Sequence, residues 1–477
     1  MITAERMAAV DRNAAALGVS QRQLMEASGR TVARAVRELL GERGRVAVVA
    51  GRGNNGGDGF VAARVLDERA TVHLLGRPET IATDAARANW DALEAAEADT
   101  RIVRDSTELA LGEPDVVVDA VLGTGVVGAP LEPEASAIEA IDASGATVVS
   151  VDVPSGLDAD TGEAPGAVVD ADRVVTFHDL KPGLAGRDDV TVADIGIPRA
   201  AERFTGPGDL LALERPSSSH KGDFGHVLVV GGGPYSGAPA LTGLAALRAG
   251  ADLATVAVPA AVADAVRAAS PDLIVRELAG ERLGPGHVDR LLELATDRDV
   301  VVIGPGLGDA PETTEAVGAF LEGYEGRAVV DADALHAVPE VDTAATLVCT
   351  PHQGELRELG GPSVEDWRER AEAVEAYAAE LGHTLLVKGA YDVVSDGETT
   401  RVNRTGNPGM TVGGTGDVLA GAAGALYCRL DPLSAAAAAA LANGTAGDRV
   451  AAEKGAGLLA SDLLDALPGA LQEATYE

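Results

Sequence analysis

Lysine is nearly absent from this chain: Lys181, Lys221, Lys388 and Lys454 are the only four in 477 residues. Cysteine is just as scarce, with Cys349 and Cys428 alone and in no CxxC spacing. That argues against a disulfide scaffold and against a zinc site, and both read as small buried hydrophobes. No apolar run approaches membrane-spanning length, and the alanines 435–440 suit a packed helix. The opening MITAERMAAVDRN carries charges throughout and lacks the apolar core of a signal peptide. A cytoplasmic protein without membrane contact is expected. Basic charge is short too, with 38 Lys plus Arg against 74 Asp plus Glu and a net charge of −36. Such a surface argues against nucleic acid and anionic lipid as partners.

At 46% hydrophobic content the chain has the means to fold, so the acid surplus reads as a heavily hydrated, halophilic surface. The melting temperature should therefore climb markedly from low to molar salt, because screening relieves self-repulsion. A salt-independent melting temperature would contradict this reading.

The length exceeds one ordinary core, so two domains are expected. Strands are predicted at 45–50, 71–75, 115–120, 147–151 and 173–177. Helices are predicted at 4–18 and 21–40, with crossovers at 58–68 and 84–98. This alternation implies a parallel sheet between two helical layers. FTGPGD and ERPSSS break the pattern between 198 and 219, placing the boundary after residue 212: domains 1–212 and 213–477. Strands resume at 226–230, 253–258, 300–303, 328–330, 346–349 and 384–387. A hairpin follows, 391–395 and 399–403 around Asp396-Gly397. The halves share no obvious repeat.

The first strand opens into GRGNNGGDG, where Gly51, Gly53 and Gly56 satisfy GxGxxG. A dinucleotide fold also wants an acid closing the next strand, and Leu74-Leu75-Gly76-Arg77 has none. GK[ST] is missing, so this is not a Walker loop. A glycine-rich packing turn would explain the glycines but not Asn54, Asn55 and Asp58 together. Two further strand ends, DAVLGTGVVG with Asp119 and DVPSGLDADTG with Asp152 and Ser155, fall on the same sheet edge, where open parallel sheets bind ligands. A carboxylate, an amide oxygen and a hydroxyl suit a hard cation, and a single formal charge favours a monovalent one. Asp152 is otherwise a strand-end residue fixing the next turn.

In the second half, GGTGDVLAG (413–421) is a glycine turn feeding a helix, with Asp417 at its mouth. Glycines let the backbone approach an anion, and the helix start offers free N–H groups. Asp417 there would take a proton from a hydroxyl attacking a phosphate, or would simply cap the helix. His352 in TPHQGE and Lys388 in VKGAYD stand at neighbouring strand ends, as a ligand and an anion contact or as ordinary structural and surface residues.

NNGGDG, DAVLGTGVVG, DVPSGLDADTG and FHDLKPGL together resemble the NAD(P)H-hydrate epimerase family. The resemblance implies a Rossmann-like three-layer αβα domain with potassium near Asn55, Asp119 and Ser155. It lays the hydrated nucleotide along Asn54, Asn55, Gly56, Gly57 and Asp58, along Gly123, Thr124, Gly125, Val126, Val127, Gly128 and Ala129, and at Asp152, the implied proton-handling residue. KGDFGHVLVVGG, SGAPALTG, GPGLG, TPHQGE, VKGAYD and NPGMTVGGTGDVLAG resemble the ribokinase-like ADP- or ATP-dependent NAD(P)H-hydrate dehydratases. That resemblance implies a ribokinase-like α/β domain. It assigns the hydrate to Ala238, Gly306, His352 and the catalytic Asp417. The adenine nucleotide, with magnesium, falls to Lys388, Gly389, Ala390, Tyr391, Asp392 and Gly416. The expected substrates are the hydrates NADHX and NADPHX with ADP or ATP, and a homo-oligomer is expected. A small-molecule kinase of the same fold shares the GTGD chemistry and stands as the main rival.

Overall fold

Apolar runs too short for helices and bounded by glycine turns become the buried strands of two parallel sheets. The computed structural model describes every residue except 42–43, 106–108, 214, 217 and 473–477, so Glu214 and Ser217 of the ERPSSS stretch lie outside the described residues. The chain forms two compact units, Met1–Ala201 and Glu202–Glu477.

The first unit carries β1 (Val46–Ala50), β2 (Ala70–Leu75), β3 (Thr100–Val103), β4 (Val116–Ala120), β5 (Thr147–Val151), β6 (Arg173–Phe177) and β7 (Val190–Ala193). Their order is β3-β2-β1-β4-β5-β6-β7, all parallel. Side chains alternate across the sheet as the pleat requires. Val46, Val48 and Ala50 enter a core shared with helices Ala4–Ala16, Gln21–Leu39, Asn54–Leu66 and Asp84–Ala95, while Ala47 and Val49 face helix Glu134–Asp142. The unit is a three-layer αβα sandwich.

The second unit carries β8 (His226–Val230), β9 (Leu253–Pro259), β10 (Ile274–Leu278), β11 (Val300–Ile303), β12 (Arg327–Val330), β13 (Thr346–Cys349), β14 (Thr384–Val387), β15 (Asp392–Ser395) and β16 (Thr400–Asn403). The order is β10-β9-β8-β11-β12-β13-β14-β15-β16, parallel up to β14 and antiparallel beyond it. The parallel parts of the two sheets thus share one strand order although the sequences share no repeat. The chain turns left from β1 and right into β4, and likewise from β8 and into β11. These switch points open crevices at the strands' carboxyl ends, where ligands of such sheets sit.

The predicted strands stand within a residue of these bounds. Three strands were not predicted. β3, β7 and β10 are sheet edges with exposed positions; Arg101 interrupts the apolar pattern of β3, Arg276 and Glu277 that of β10, and β7 is only four residues long. The boundary region also differs. Thr205 N donates to Val402 O at 3.0 Å and Arg401 pairs with Asp209 at 2.8 Å, so residues 202–212 pack within the second unit. Cys349 is buried and Cys428 only partly so; both are free thiols. The alanines 435–440 are buried in helix Pro432–Lys454. Among the described residues no helix is long and apolar enough to cross a membrane.

Candidate active sites

In the first unit the glycine stretch is not a loop throughout. Helix Asn54–Leu66 starts four residues before the predicted crossover, with Gly53 as its N-cap. Gly56 permits that early start, since a Cβ there would fall 2.0 Å from Gly51 O; Gly57 likewise admits Met25. These two glycines pack the helix rather than line the crevice. Asn54, Asn55 and Asp58 do line it, with Gly123, Thr124, Gly125, Val126 and Asp152, around a cavity of about 640 Å³. That volume suits a small-molecule site. Val127, Gly128 and Ala129 are not on its wall, and Val127 is exposed.

Asp152 follows β5 with a φ of 65°, a left-handed conformation rare for a non-glycine residue. One oxygen, Oδ1, accepts from Thr176 Oγ1 at 3.0 Å, Phe177 N at 3.3 Å and Lys181 Nζ at 2.8 Å. Lys181 is fully buried and also donates to Phe177 O at 2.7 Å. Asp58 and Asp11 line the cavity as well. Burial pushes Asp58 well above the usual carboxylate range, and the Asp152 and Asp11 charges add to this. Asp11, on helix Ala4–Ala16, is pushed up to about 6 by burial and by Asp152, against the pull of Lys181. Its Oδ1 is buried without a hydrogen-bond partner.

Asn55, Asp119 and Ser155 converge beside the cavity. Asp119, fully buried in β4, accepts from Ser150 Oγ at 2.8 Å and from Ser155 N at 2.9 Å. Burial raises its pKa, and bonds from Ser155, Ser150 and Val121 N oppose the rise. Asn55 Nδ2 donates to Leu122 O at 2.9 Å, while Asn55 Oδ1 is buried with no partner. An orphaned amide oxygen beside a carboxylate and a hydroxyl is an oxygen set that fits a potassium ion.

In the second unit, Gly414 caps helix Thr415–Tyr427 at a φ of 99°, so Asp417 stands in the first turn and is not the cap. Gly421 lets this helix approach Gly237–Arg248, since a Cβ there would lie 2.2 Å from Thr242 O. The same helix brings Ala238 to Gly306, whose own Cβ position lies 3.2 Å from that of Ala238. Burial pushes Asp417 up to about 7; the Asp331 charge adds to this and Lys388 opposes it.

Lys388 ends β14 with its Nζ 2.9 Å from Asp331 Oδ1 and 3.8 Å from Glu355 Oε2. Asp331 also accepts from Thr350 Oγ1 at 2.7 Å. Burial would lower the Lys388 pKa, but Asp331 and Glu355 leave it raised, so the ammonium is kept. A Cβ on Gly416 would sit 3.5 Å from that ammonium, which places a cation over the glycine turn. His352 accepts at Nδ1 from Gly354 N and Glu355 N as a helix cap, and its Nε2 lies 3.6 Å from Glu355 Oε1. Asp392 turns inward, accepting from Gly389 N and Asn403 Nδ2, both at 2.9 Å. It shapes the 389–391 turn, on which Ala390 is exposed and Tyr391 stacks on Trp367 at 5.2 Å.

Comparison with known proteins joins the two sites. A family model described as NAD(P)H-hydrate dehydratase matches residues 227–469, and one described as YjeF-related protein N-terminus matches 21–183. A relative from Methanothermobacter thermautotrophicus, described as bifunctional NAD(P)H-hydrate repair enzyme Nnr, is 45% identical, covering 98% of this chain and 95% of its own. One from Pyrobaculum aerophilum with the same description is 45% identical, covering 100% and 99%. The chain belongs to the bifunctional NAD(P)H-hydrate repair enzymes. The first unit is its epimerase domain and the second its dehydratase domain. A crystal structure of the ADP/ATP-dependent NAD(P)H-hydrate dehydratase from Bacillus subtilis, co-crystallised with ATP and Mg2+, is 27% identical at a TM-score of 0.50. It covers 57% of this chain and 98% of that one. The dehydratase domain has that ribokinase-like fold.

Sequence reasoning about this repair enzyme missed Lys181, Asp11 and Asp331. Lysine scarcity was a usable signal for Lys181, and Asp331 closes a strand in VVDAD as Asp152 does in VVSVD. Asp11 carried no signal, since only the fold brings its helix over the crevice.

Proposed function

We propose that the epimerase domain interconverts the R and S hydrates through Asp152, and that the dehydratase domain restores NADH or NADPH from the S form using ADP or ATP. The observation that carries this is Asp417 in the first turn behind a glycine cap, beside the Lys388 ammonium. Hydroxide is a poor leaving group and phosphate a good one. Asp417 takes the proton of the hydrate's hydroxyl, whose oxygen attacks the terminal phosphorus as the nucleotide leaves as AMP or ADP. The glycine-turn N–H groups and Lys388 hold the charge of the transferred group. Phosphate then departs with the C–O electron pair, the neighbouring ring carbon loses a proton, and the ring double bond returns.

Among the described residues no three His, Cys, Asp or Glu side chains are grouped to hold a metal. Magnesium would therefore share the nucleotide's phosphates with one or two carboxylates, for which Asp331 and Glu355 are the candidates. It would supply charge neutralisation between the phosphates. Potassium at Asn55, Asp119 and Ser155 would offset the buried Asp119 charge and fix the Asn55 turn.

The test is pure protein with mixed epimers and ADP or ATP, following NADH absorbance and free phosphate together. Equal release of NADH and phosphate supports the reading. A retained phosphorylated product would make the second unit a kinase.

A further inference from the structure

Apart from Glu134, three carboxylates line the first-unit cavity, and they come from different elements. Asp152 follows β5 and is bonded to Lys181; Asp58 lies on helix Asn54–Leu66; Asp11 lies on helix Ala4–Ala16. Arg52 and Glu134, which pair with each other at 3.3 Å, also line the wall. Lys181 answers one of the three carboxylates and also donates to the backbone carbonyls of Phe177 and Asp179. Asp11 Oδ1 is left buried and unpartnered, which a structural aspartate seldom is. A buried acceptor costs stability unless something meets it, so a side chain that keeps one while lining the cavity points to a role toward a ligand.

We infer that Asp11 is a second acid–base group of the epimerase site, working with Asp152 across the same hydroxyl-bearing carbon; this rests on the reading of Asp152 given above. Hydration of an enamine places the hydroxyl on the ring carbon next to nitrogen. A proton from Asp11 makes that hydroxyl water, the C–O bond breaks, and the nitrogen lone pair closes a C=N bond. Water then adds to the opposite face, the C=N pair returns to nitrogen, and the Asp152 carboxylate takes the proton released. The hydrate keeps its composition and inverts at one carbon. One proton has moved from Asp11 to Asp152, and the reverse turnover or exchange with solvent returns it. Lys181 holds Asp152 Oδ1 in place at 2.8 Å, while Asp11 at about 6 is poised to donate. The carboxylate-rich wall also favours the cationic ring that forms between the two steps.

Because Asp11 must start protonated, epimerisation should fall as pH rises through about 6. The test uses the full chain without nucleotide, so that dehydration is silent, starting from R-enriched hydrate and following the epimer ratio by chromatography between pH 5 and 8. Asp11→Asn should slow epimerisation about a hundredfold or more and abolish the falling limb. Asp11→Glu should recover part of the rate together with the limb. S-epimer dehydration with added ADP should be unchanged in both, and the melting temperature reports whether the first unit is intact. A falling limb that persists in Asp11→Asn, at whatever residual rate, overturns the inference. Should Asp11→Asn fail to fold, a flat profile in a folded Asp11→Glu variant overturns it equally. If Asp152→Asn epimerises at the wild-type rate, the reading of Asp152 itself fails, a result separable from any behaviour of Asp11.

Discussion

Asp417→Asn should lower the rate of dehydration by about a hundred- to ten-thousandfold while hydrate binding and the fold persist. Asparagine keeps the shape of the side chain, and helix Thr415–Tyr427 owes Asp417 no cap, since Gly414 holds that position. What is lost is the base alone. The active form is the carboxylate, and burial holds Asp417 at about 7, so the wild-type rate should rise with pH through neutrality. Stopped assays of NADH formation across pH 6 to 8 read both effects. Near-wild-type turnover in the asparagine variant would remove Asp417 from the mechanism.

Asp152→Ala should bring R-epimer consumption down to its spontaneous rate and leave S-epimer dehydration intact. Asp152 and Asp417 belong to different compact units with separate sheets, so their losses should be chemically distinct. Asp417→Ala should do the converse, equilibrating the epimers without regenerating NADH. Mixing the two variants should restore full conversion, because the hydrate diffuses between proteins. Loss of S-epimer dehydration in a folded Asp152→Ala protein would show that the first unit takes part in the second reaction.

The central strands were legible because they are buried on both faces and read as unbroken apolar runs, as in VAVVA of β1 and VVVI of β11. The edges were not, because consecutive residues of β3 and β10 are exposed on both faces, with Arg101, Arg276 and Glu277 among them. The start of helix Asn54–Leu66 was hidden by its glycines, which have low helix propensity; here the contact of Gly56 with Gly51 decides in favour of the helix. For the sites, motif positions such as Asp152, Asn55, Lys388 and Asp417 stood at predicted strand ends, where the topology delivers them to one edge. His352 came with two readings, and its ring serves the structural one, with Nδ1 capping the helix and Nε2 facing Glu355. Lys181 and Asp331 were invisible as partners because pairing between strand ends is set by strand order, which no local pattern encodes.

The two lysines held by strand-end aspartates bear on how this protein ages. Lys181 is wholly enclosed and Lys388 is one-fifth exposed, while Lys221 and Lys454 stand in solvent. Carbamylation, glycation and acetylation by reactive metabolites all need an accessible, uncharged amine. Lys221 and Lys454 are the accessible lysine targets, and the two amines used by the proposed chemistry are enclosed or kept protonated. An enzyme that mends spontaneous chemical damage in a cofactor thus offers few side-chain amines to lysine-directed damage of its own.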